Sequence, residues 1–291
     1  MNQKYKGILC ILMAAFCFAL MNAFVRLSGD LPSVQKSFFR NLVAVIFAVI
    51  VLCKNKESFL PQKGNIKLLI LRSICGTIGI LCNFYAVDHL VLADASMLNK
   101  MSPFFAILFS YLFLSEKINL VQGLGVVVAF IGSLFIIKPT FSNMALIPSI
   151  IGLLGGIGAG AAYTVVRKLG QRGEKGPFIV FFFSAFSCLV TLPYLIFNYH
   201  DMTLAQFGAL LLAGLSAAGG QFAITAAYCY APAKEISVYD YSQVIFSALL
   251  GFILFTQIPD GYSVIGYILI CGSAIVMFLY NTGKLKRKRA I

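Results

Sequence analysis

The sequence predicts an all-α integral membrane protein with ten transmembrane helices, arranged as two inverted five-helix repeats with both termini in the cytoplasm. Three observations lead to this fold class. The 291-residue chain is 60% hydrophobic and only 11% charged, so a soluble domain could not bury its apolar surface. Ten apolar runs approach the ~20 residues that a helix needs to cross a bilayer. One offset of 141 positions aligns the two halves without a gap.

Proline, glycine and charged residues separate the ten runs, and the connections are too short for a soluble domain. Lys4 and Lys6 precede the first run, as in a signal peptide. That run extends from Ile8 to Val25 without a following Ala-x-Ala cleavage site, so it is interpreted as a retained helix. The predicted spans are residues 7–27, 34–53, 66–87, 93–114, 119–137, 146–167, 177–198, 206–230, 233–256 and 261–281.

The internal repeat follows from the constant offset. Residues that match across it include Gly79 with Gly220, Ser96 with Ser237, Gly125 with Gly266 and Asp94 with Glu235. Each half contains five spans, and this odd number requires the second half to enter the membrane in the opposite orientation. The predicted domains are a first repeat at 1–141, a second repeat at 142–282 and a basic cytoplasmic tail at 283–291.

The net charge of +13 comes from short basic clusters between the apolar runs and at the tail. With ten spans, eighteen Lys and Arg residues fall on the side of the termini and four on the other side. This asymmetry predicts that both termini are cytoplasmic and that the basic loops face anionic membrane lipids rather than nucleic acid. The count places Arg72, near the start of the third span, among the cytoplasmic charges.

Composition also argues against several classes of site. The eight cysteines include no Cys-x-x-Cys pair and only two histidines are present, so no metal site or cofactor is predicted. The cysteines are interpreted as small apolar packing residues. No His-Glu-x-x-His motif, Ser/Lys dyad or aspartate cluster is visible, and the protein is not predicted to be an enzyme.

The segment LNKMSPFF places Lys100 and Pro103 inside the fourth predicted span. Ser96, Asn99, Lys100 and Pro103 share one helical face, and a charge at this depth is expected to face the interior of the bundle. Pro103 deprives the Asn99 carbonyl of its helical donor, which is tolerable where protein, water or solute can satisfy it. A cavity-lining role is favoured. The alternative is that Lys100 extends to the outer surface while Pro103 merely kinks the helix.

Asp240 occupies the position that corresponds to Asn99 in the second repeat, and Tyr241 corresponds to Lys100. A buried carboxylate pairs with a cation or takes up a proton. Two interpretations stay open: an ion pair with Lys100 that holds the halves together, or a group that binds a substrate amine or a coupling proton. In straight helices the two residues would differ in depth by about 10 Å, so direct pairing requires helix tilt or a bridging water.

Further polar residues complete the predicted site. Arg40 is a candidate for binding an anionic group, with anchoring to lipid headgroups as the alternative. Arg26 and Arg167 are interpreted as structural residues at helix ends, and Pro103 and Glu116 as a helix break and a cytoplasmic gate. The predicted substrate-binding residues are Lys100, Asp240, Asn99, Tyr241, Gln243, Arg40, Asn22, Asn83, Tyr163 and Gln221. Gly152, Gly156 and Gly160 predict close helix packing.

The motifs resemble one known family. FYAVDHLVLADASMLNKMSPFFAILFSYLFLSEK at 84–117 and YDYSQVIFSALLGFILFTQIPD at 239–260 are similar to the third-to-fourth-helix segment and the ninth helix of EamA-type members of the drug/metabolite transporter superfamily. The resemblance implies a ten-helix bundle with a central cavity, alternating access and, commonly, export of amino acids, metabolites or drugs. Many members carry an acidic residue after the ninth helix where this chain has Gln257.

The resulting prediction is a multi-pass secondary active transporter in the cytoplasmic (inner) membrane that exports a small polar or zwitterionic solute, with proton coupling. Two alternatives stay open: an uncoupled facilitator or channel for small metabolites, and an uptake carrier for a nucleoside-containing amino acid derivative. The predicted partners are a small-molecule solute, membrane lipids and protons, in a monomer or homodimer.

Overall fold

The structure is a computed structural model that describes residues 3–114, 119–138, 145–230 and 237–281. Within those ranges the regular secondary structure is entirely helical. The elements are α1 Gln3–Leu27, α2 Ser33–Lys54, α3 Ile66–His89, α4 Leu92–Asn99, α5 Ser102–Leu114, α6 Leu120–Ile137, α7 Leu146–Gln171, α8 Gly176–Phe197, α9 Leu204–Tyr230, a 3₁₀ helix Ser237–Tyr241, α10 Ser242–Phe255 and α11 Gly261–Asn281.

Eight of the described helices are long and apolar enough to cross a membrane: α1, α2, α3, α6, α7, α8, α9 and α11. The other two predicted spans are interrupted. The fourth is divided into α4 and α5 at Lys100 and Met101, and the described part of the ninth begins with the 3₁₀ helix and continues as α10. The sequence predicts a helix break at Pro103; the structure has the break at Lys100 and Met101 and places Pro103 in the first turn of α5. A residue without an N–H fits there because no intrahelical donor is needed.

The helices pack in pairs that join the two halves of the chain. α1 packs along α9, α3 along α7, α2 along α8 and α6 along α11. The interrupted helices lie between these pairs, since α4 and α5 contact α7, α10 contacts α1, and α4 contacts α10. The main apolar core includes Phe84, Leu98 and Phe104. Large apolar side chains such as Ile78 and Ile268 remain exposed, as expected for a surface that faces lipid.

Glycines on α7 allow its neighbours to approach closely. A Cβ at Gly158 would lie 2.9 Å from the Cys75 carbonyl oxygen of α3, and a Cβ at Gly156 would lie 2.6 Å from the Leu98 carbonyl oxygen of α4. Gly160 faces the first turn of α5 in the same way. Small residues at this spacing let helix backbones meet in a membrane. The glycines therefore bring α7 against the break between α4 and α5.

Side-chain contacts tie together the connections at one end of the bundle. Arg26, at the end of α1, donates hydrogen bonds to the carbonyls of Val87 and Leu90 at the end of α3. Lys36 of α2 pairs with Asp88 of α3, with 2.6 Å between Nζ and Oδ1. These contacts fix the ends of three helices relative to one another.

A more exposed ion pair between Lys138 and Asp260 lies between α6 and α11. Asp260 also accepts a hydrogen bond from the Ser263 backbone N–H in the first turn of α11. Partial burial tends to raise the pKa of the Asp260 carboxyl, but the hydrogen bonds from Lys138 and Ser263 outweigh it and hold the pKa below its usual value. This pair belongs to the surface rather than to the interior of the bundle.

At the other end of the bundle, Glu174 connects two loops. Its carboxylate accepts hydrogen bonds from the Gln62 backbone N–H at 3.2 Å and from the Asn65 side chain at 2.9 Å. The α2–α3 connection is thereby held against the α7–α8 connection.

Adding a methyl group at Gly156 tests the packing at the α4–α5 break. Gly156→Ala is expected to destabilise the protein by about 1–3 kcal/mol, because the new Cβ would clash with the Leu98 carbonyl, a backbone atom that cannot turn away. Gly170→Ala on the same helix is the matched control, since a Cβ there meets nothing within 4 Å. Thermal unfolding in detergent should show a lower Tm for Gly156→Ala only. Equal Tm values for both variants would contradict the assigned packing.

Candidate functional site

A cavity of about 80 Å³ lies inside the bundle, between α1, α2, α3, α7, α8, α9, α10 and the α4–α5 break. Most of the residues that the sequence predicts for binding line this one space. They are Asn22, Arg40, Asn83, Asn99, Lys100, Tyr163, Gln221 and Gln243. Phe18, Met21, Ile80 and Phe183 contribute apolar walls.

Lys100 and Asp240 form a buried ion pair at this cavity. The distance from Nζ to Oδ2 is 2.7 Å, and each side chain is 4% exposed. Lys100 therefore does not extend to the outer surface, which removes that alternative. Asp240 Oδ1 has no hydrogen-bond partner among the described residues. The carboxylate thus keeps one acceptor for a proton, a water or a solute.

The helix interruptions make direct pairing possible. Lys100 is the C-terminal cap of α4 rather than a mid-helix residue, and Asp240 lies in a 3₁₀ helix rather than an α-helix. The difference in depth of about 10 Å between Lys100 and Asp240 is expected only for straight, regular helices, and neither residue lies in one. Loss of regular helix on both sides brings the two charges together without a bridging water.

A chain of uncharged polar groups leads from the cavity to the contact between α4 and α10. The Asn83 amide donates to Asn22 Oδ1 at 3.1 Å, and the Asn22 amide donates to Ser96 Oγ at 3.4 Å. Ser96 Oγ lies 2.7 Å from Ser247 Oγ of α10. Polar contacts therefore connect α3, α1, α4 and α10, the helices that surround the ion pair.

Arg40 is almost fully buried and lies against aromatic and amide groups. Its Nη1 donates to Asn41 Oδ1 at 2.5 Å, and its guanidinium carbon lies 6.0 Å from the centre of the Phe183 ring. The Asn41 amide is held by Ser37 and by Ser187 of α8. Burial at 1% exposure argues against the alternative that Arg40 anchors lipid headgroups.

Arg72 is a cavity residue that the sequence analysis missed. The sequence analysis counted Arg72 among the charges on the cytoplasmic side, near a loop. In the structure Arg72 belongs to α3, is only 5% exposed and lies in the cavity wall. Its guanidinium carbon lies 3.6 Å from the centre of the Phe183 ring. One signal in the sequence is Gly76, one turn later on the same face, which leaves room for the Arg72 side chain.

The remaining predicted residues lie elsewhere. Tyr241 packs edge-on against Phe104 and lines a separate, mostly apolar pocket between α1, α10 and α11. Pro103 is in the first turn of α5, next to the cavity residue Lys100. Glu116 lies outside the described residues. Among the described residues, no cluster of His, Cys, Asp or Glu could hold a metal ion.

Comparison with known sequences gives the family. The pattern of the EamA-like transporter family matches residues 5–138 and again residues 146–279. The chain belongs to the EamA-like transporter family. The resemblance to this branch of the drug/metabolite transporter superfamily is confirmed, and the protein is a multi-pass membrane transporter of small solutes.

Individual relatives agree on the class of protein. The transporter is 33% identical to a pseudopaline exporter of Pseudomonas aeruginosa over 93% of this chain and 95% of the relative. It is 26% identical to a riboflavin transporter of Vibrio cholerae, with 100% and 98% of the two chains covered. One crystal structure aligns with a TM-score of 0.70 at 14% identity, covering 95% of this chain and 97% of the other, which shows a shared fold.

Gln257 stands where the family resemblance leads us to expect an acidic residue. Its side-chain oxygen accepts a hydrogen bond from the Leu92 backbone N–H at 3.0 Å. That N–H is in the first turn of α4, where no intrahelical acceptor is available. The amide therefore joins the connection after α10 to the start of α4, and a negative charge is not needed for this contact.

Removing one member of the buried ion pair should cost more than removing both. Lys100→Met or Asp240→Asn alone leaves an uncompensated buried charge, which is expected to cost about 3–5 kcal/mol. The double variant should be more stable than either single variant, as judged by Tm in detergent. The matched control is the exposed pair, with Lys138→Met and Asp260→Asn, for which about 0–1 kcal/mol is expected. Additive losses at Lys100 and Asp240 would argue against the pair.

Proposed function

We propose that the protein is a secondary active transporter that moves a small polar or zwitterionic organic solute across the cytoplasmic membrane by alternating access, in the direction of export. The observation that carries this proposal is the cavity inside the bundle, whose lining comes from both halves of the chain and includes Lys100, the partner of Asp240. Substrate sites of secondary transporters lie at such repeat interfaces, near discontinuous helices. The solute is taken to contact the cavity residues, and Lys100 and Asp240 are taken to separate when it binds.

The size of the cavity supports a conformational change. About 80 Å³ is well below the roughly 300–1,000 Å³ of ordinary ligand pockets. Any organic solute must therefore widen the space between the helices that line it. Movement of α4, α5 and α10, whose breaks meet at the cavity, would provide that space.

Two features support the inverted repeat, with the division near residue 141 and a basic tail from residue 283. The pairing of helices is symmetric, because α1 with α9 corresponds to α7 with α3 when each element is exchanged for its repeat partner. The two interruptions also correspond, since Lys100 and Tyr241 are separated by the same offset of 141 positions.

The proposed orientation rests on charge. The basic residues of the α2–α3 and α7–α8 connections gather at the end of the bundle where Glu174 holds these loops together. Positive residues favour the cytoplasmic side. We therefore assign this end, together with both termini, to the cytoplasm and the end that contains the Lys36–Asp88 pair to the outer side.

The alternative function is an uncoupled facilitator or channel, which would let solute pass without closing either end. The contacts of Arg26 and Lys36 at the outer end favour alternating access, because they hold the ends of α1, α2 and α3 together in this conformation.

Clamping the outer end should stop transport. In a chain whose native cysteines are replaced by serine, Lys36→Cys and Asp88→Cys would be bridged with a short bis-methanethiosulfonate reagent. Flux into liposomes would be followed with labelled glutamate, succinate, glucose 6-phosphate, putrescine and glucose. We expect saturable flux of at least one probe, loss of that flux on bridging and recovery on reduction.

Each single-cysteine variant is the control for the clamp, since the reagent can modify it but cannot bridge it. Continued flux through the bridged protein would favour a channel. Absence of saturable flux for every probe would count against transport of this group of solutes.

Proton coupling is tested separately at Asp240. A proton on Asp240 removes the charge that holds Lys100, so an imposed pH gradient is expected to drive accumulation of the transported probe. Asp240→Asn should abolish gradient-driven accumulation while leaving exchange of labelled for unlabelled probe. Accumulation that responds to the gradient equally in Asp240→Asn would exclude Asp240 as the coupling group.

A further inference from the structure

The cavity contains more positive charge than its carboxylate can balance. Arg40, Arg72 and Lys100 line it, and Lys100 is the cation that pairs with Asp240. Among the described residues, neither arginine forms an ion pair with a carboxylate. Two positive charges are thus buried without a counter-charge, which is unfavourable unless an anion is supplied from outside the chain.

The hydrogen-bond donors of these arginines are also incompletely used. Nε and Nη1 of Arg72 and Nε of Arg40 are buried without an acceptor among the described residues. The one hydrogen bond found for the Arg40 guanidinium goes to the neutral Asn41 amide. Buried donors in folded proteins are nearly always satisfied, so the unused N–H groups indicate an acceptor other than the described residues.

The geometry brings both guanidinium groups to one place. α2 and α3 run in opposite directions, and Arg40 and Arg72 each lie about 10 Å from the start of their helix at a rise of 1.5 Å per residue. The two side chains therefore approach the middle of the bundle from opposite ends. Both guanidinium carbons lie near the Phe183 ring, at 6.0 and 3.6 Å from its centre.

Phe183 and Gly76 leave little freedom for Arg72. A Cβ at Gly76 would lie 2.9 Å from both Arg72 Nη1 and the Phe183 ring, so the guanidinium is confined between the α3 backbone and an aromatic face. Stacking of this kind orients the planar group without using its N–H donors. Nε and Nη1 of Arg72 therefore remain without an acceptor among the described residues.

We propose that Arg40 and Arg72 together bind a solute group with two negative charges, either a pair of carboxylates or a phosphate monoester. The inference rests on the proposed function and narrows its solute from polar or zwitterionic to net anionic. Guanidinium groups grip carboxylate and phosphate oxygens through paired N–H donors. Asn22, Asn83 and Gln243 supply neutral hydrogen-bonding groups for the rest of the solute.

A binding site of this kind has a signature in stability. Arg72→Met keeps an unbranched side chain but removes an uncompensated charge, so the Tm without added solute should rise by about 2 °C or more. Arg26→Met is the matched control, because Arg26 is hydrogen-bonded to two backbone carbonyls and its loss should lower the Tm. A lower Tm for Arg72→Met would instead indicate a purely structural arginine.

Binding is measured by thermal shift of the full chain in detergent at low salt, with succinate, glucose 6-phosphate, glutamate, putrescine and glucose as probes. Ligands raise the Tm by mass action. We expect a shift with succinate or glucose 6-phosphate that exceeds the shifts with glutamate, putrescine and glucose. Succinate and glucose 6-phosphate distinguish the carboxylate pair from the phosphate.

The arginine variants identify the site. Arg40→Gln and Arg72→Gln should each weaken binding of the active anion by about thirtyfold or more, the effect expected when one partner of a buried charge pair is lost. Arg172→Gln changes an exposed arginine on the surface and should leave binding unchanged. Equal weakening in all three variants would indicate a nonspecific effect of charge and overturn the site.

Failure of this inference can be told apart from failure of the proposed function. Flux of putrescine or glucose without binding of either dianion would overturn the anionic solute while leaving a transporter. A dianion-induced shift that depends on Arg40 and Arg72, without flux in liposomes, would support the site and count against transport of that anion.

Discussion

A lysine and an aspartate, 2.7 Å apart and nearly excluded from solvent, lie where two interrupted helices meet. Charges inside an apolar bundle are tolerated when they find each other or a polar space, and regular helices would keep these two apart. The interruptions at Lys100 and Tyr241 remove that separation. The pair therefore depends on the two helix breaks. It also depends on the α7 glycines that pack against the α4–α5 break, and on the cavity beside that break.

Much of this arrangement can be predicted from the sequence, because a membrane permits few backbone structures and few positions for polar side chains. Apolar runs of bilayer length must be helices, since no other open segment satisfies its backbone groups in lipid. Polar residues on such helices must face inward, which is why Asn22, Arg40, Asn83 and Gln243 could be assigned to one site before their contacts were known. The family also follows from motif and length.

Other features depend on tertiary contacts that periodicity does not encode. Pro103 indicates a disturbance of the fourth span, but a kink and a complete break have the same sequence signature. Tyr241 lies beside the polar residue Asp240 in the sequence, yet its ring packs towards Phe104 and a different pocket. Arg72 resembles a loop-facing charge because it is near a helix start, and its contact with Phe183 of the distant α8 is a tertiary feature.

The position of Arg72 changes the chemistry of the whole cavity. With Arg40 as its one arginine, a site that also contains a Lys–Asp pair would suit a zwitterion. With two arginines, the positive charge that remains beyond the Lys–Asp pair is doubled, and it lies beside Phe183. The protein then carries electrostatic strain from two buried positive charges that no described carboxylate balances. An anion would relieve this strain on binding, and the relief provides a source of free energy for widening an 80 Å³ cavity around an organic solute. Binding and helix movement would thus be coupled by the same two unsatisfied arginines, without a dedicated switch elsewhere in the bundle.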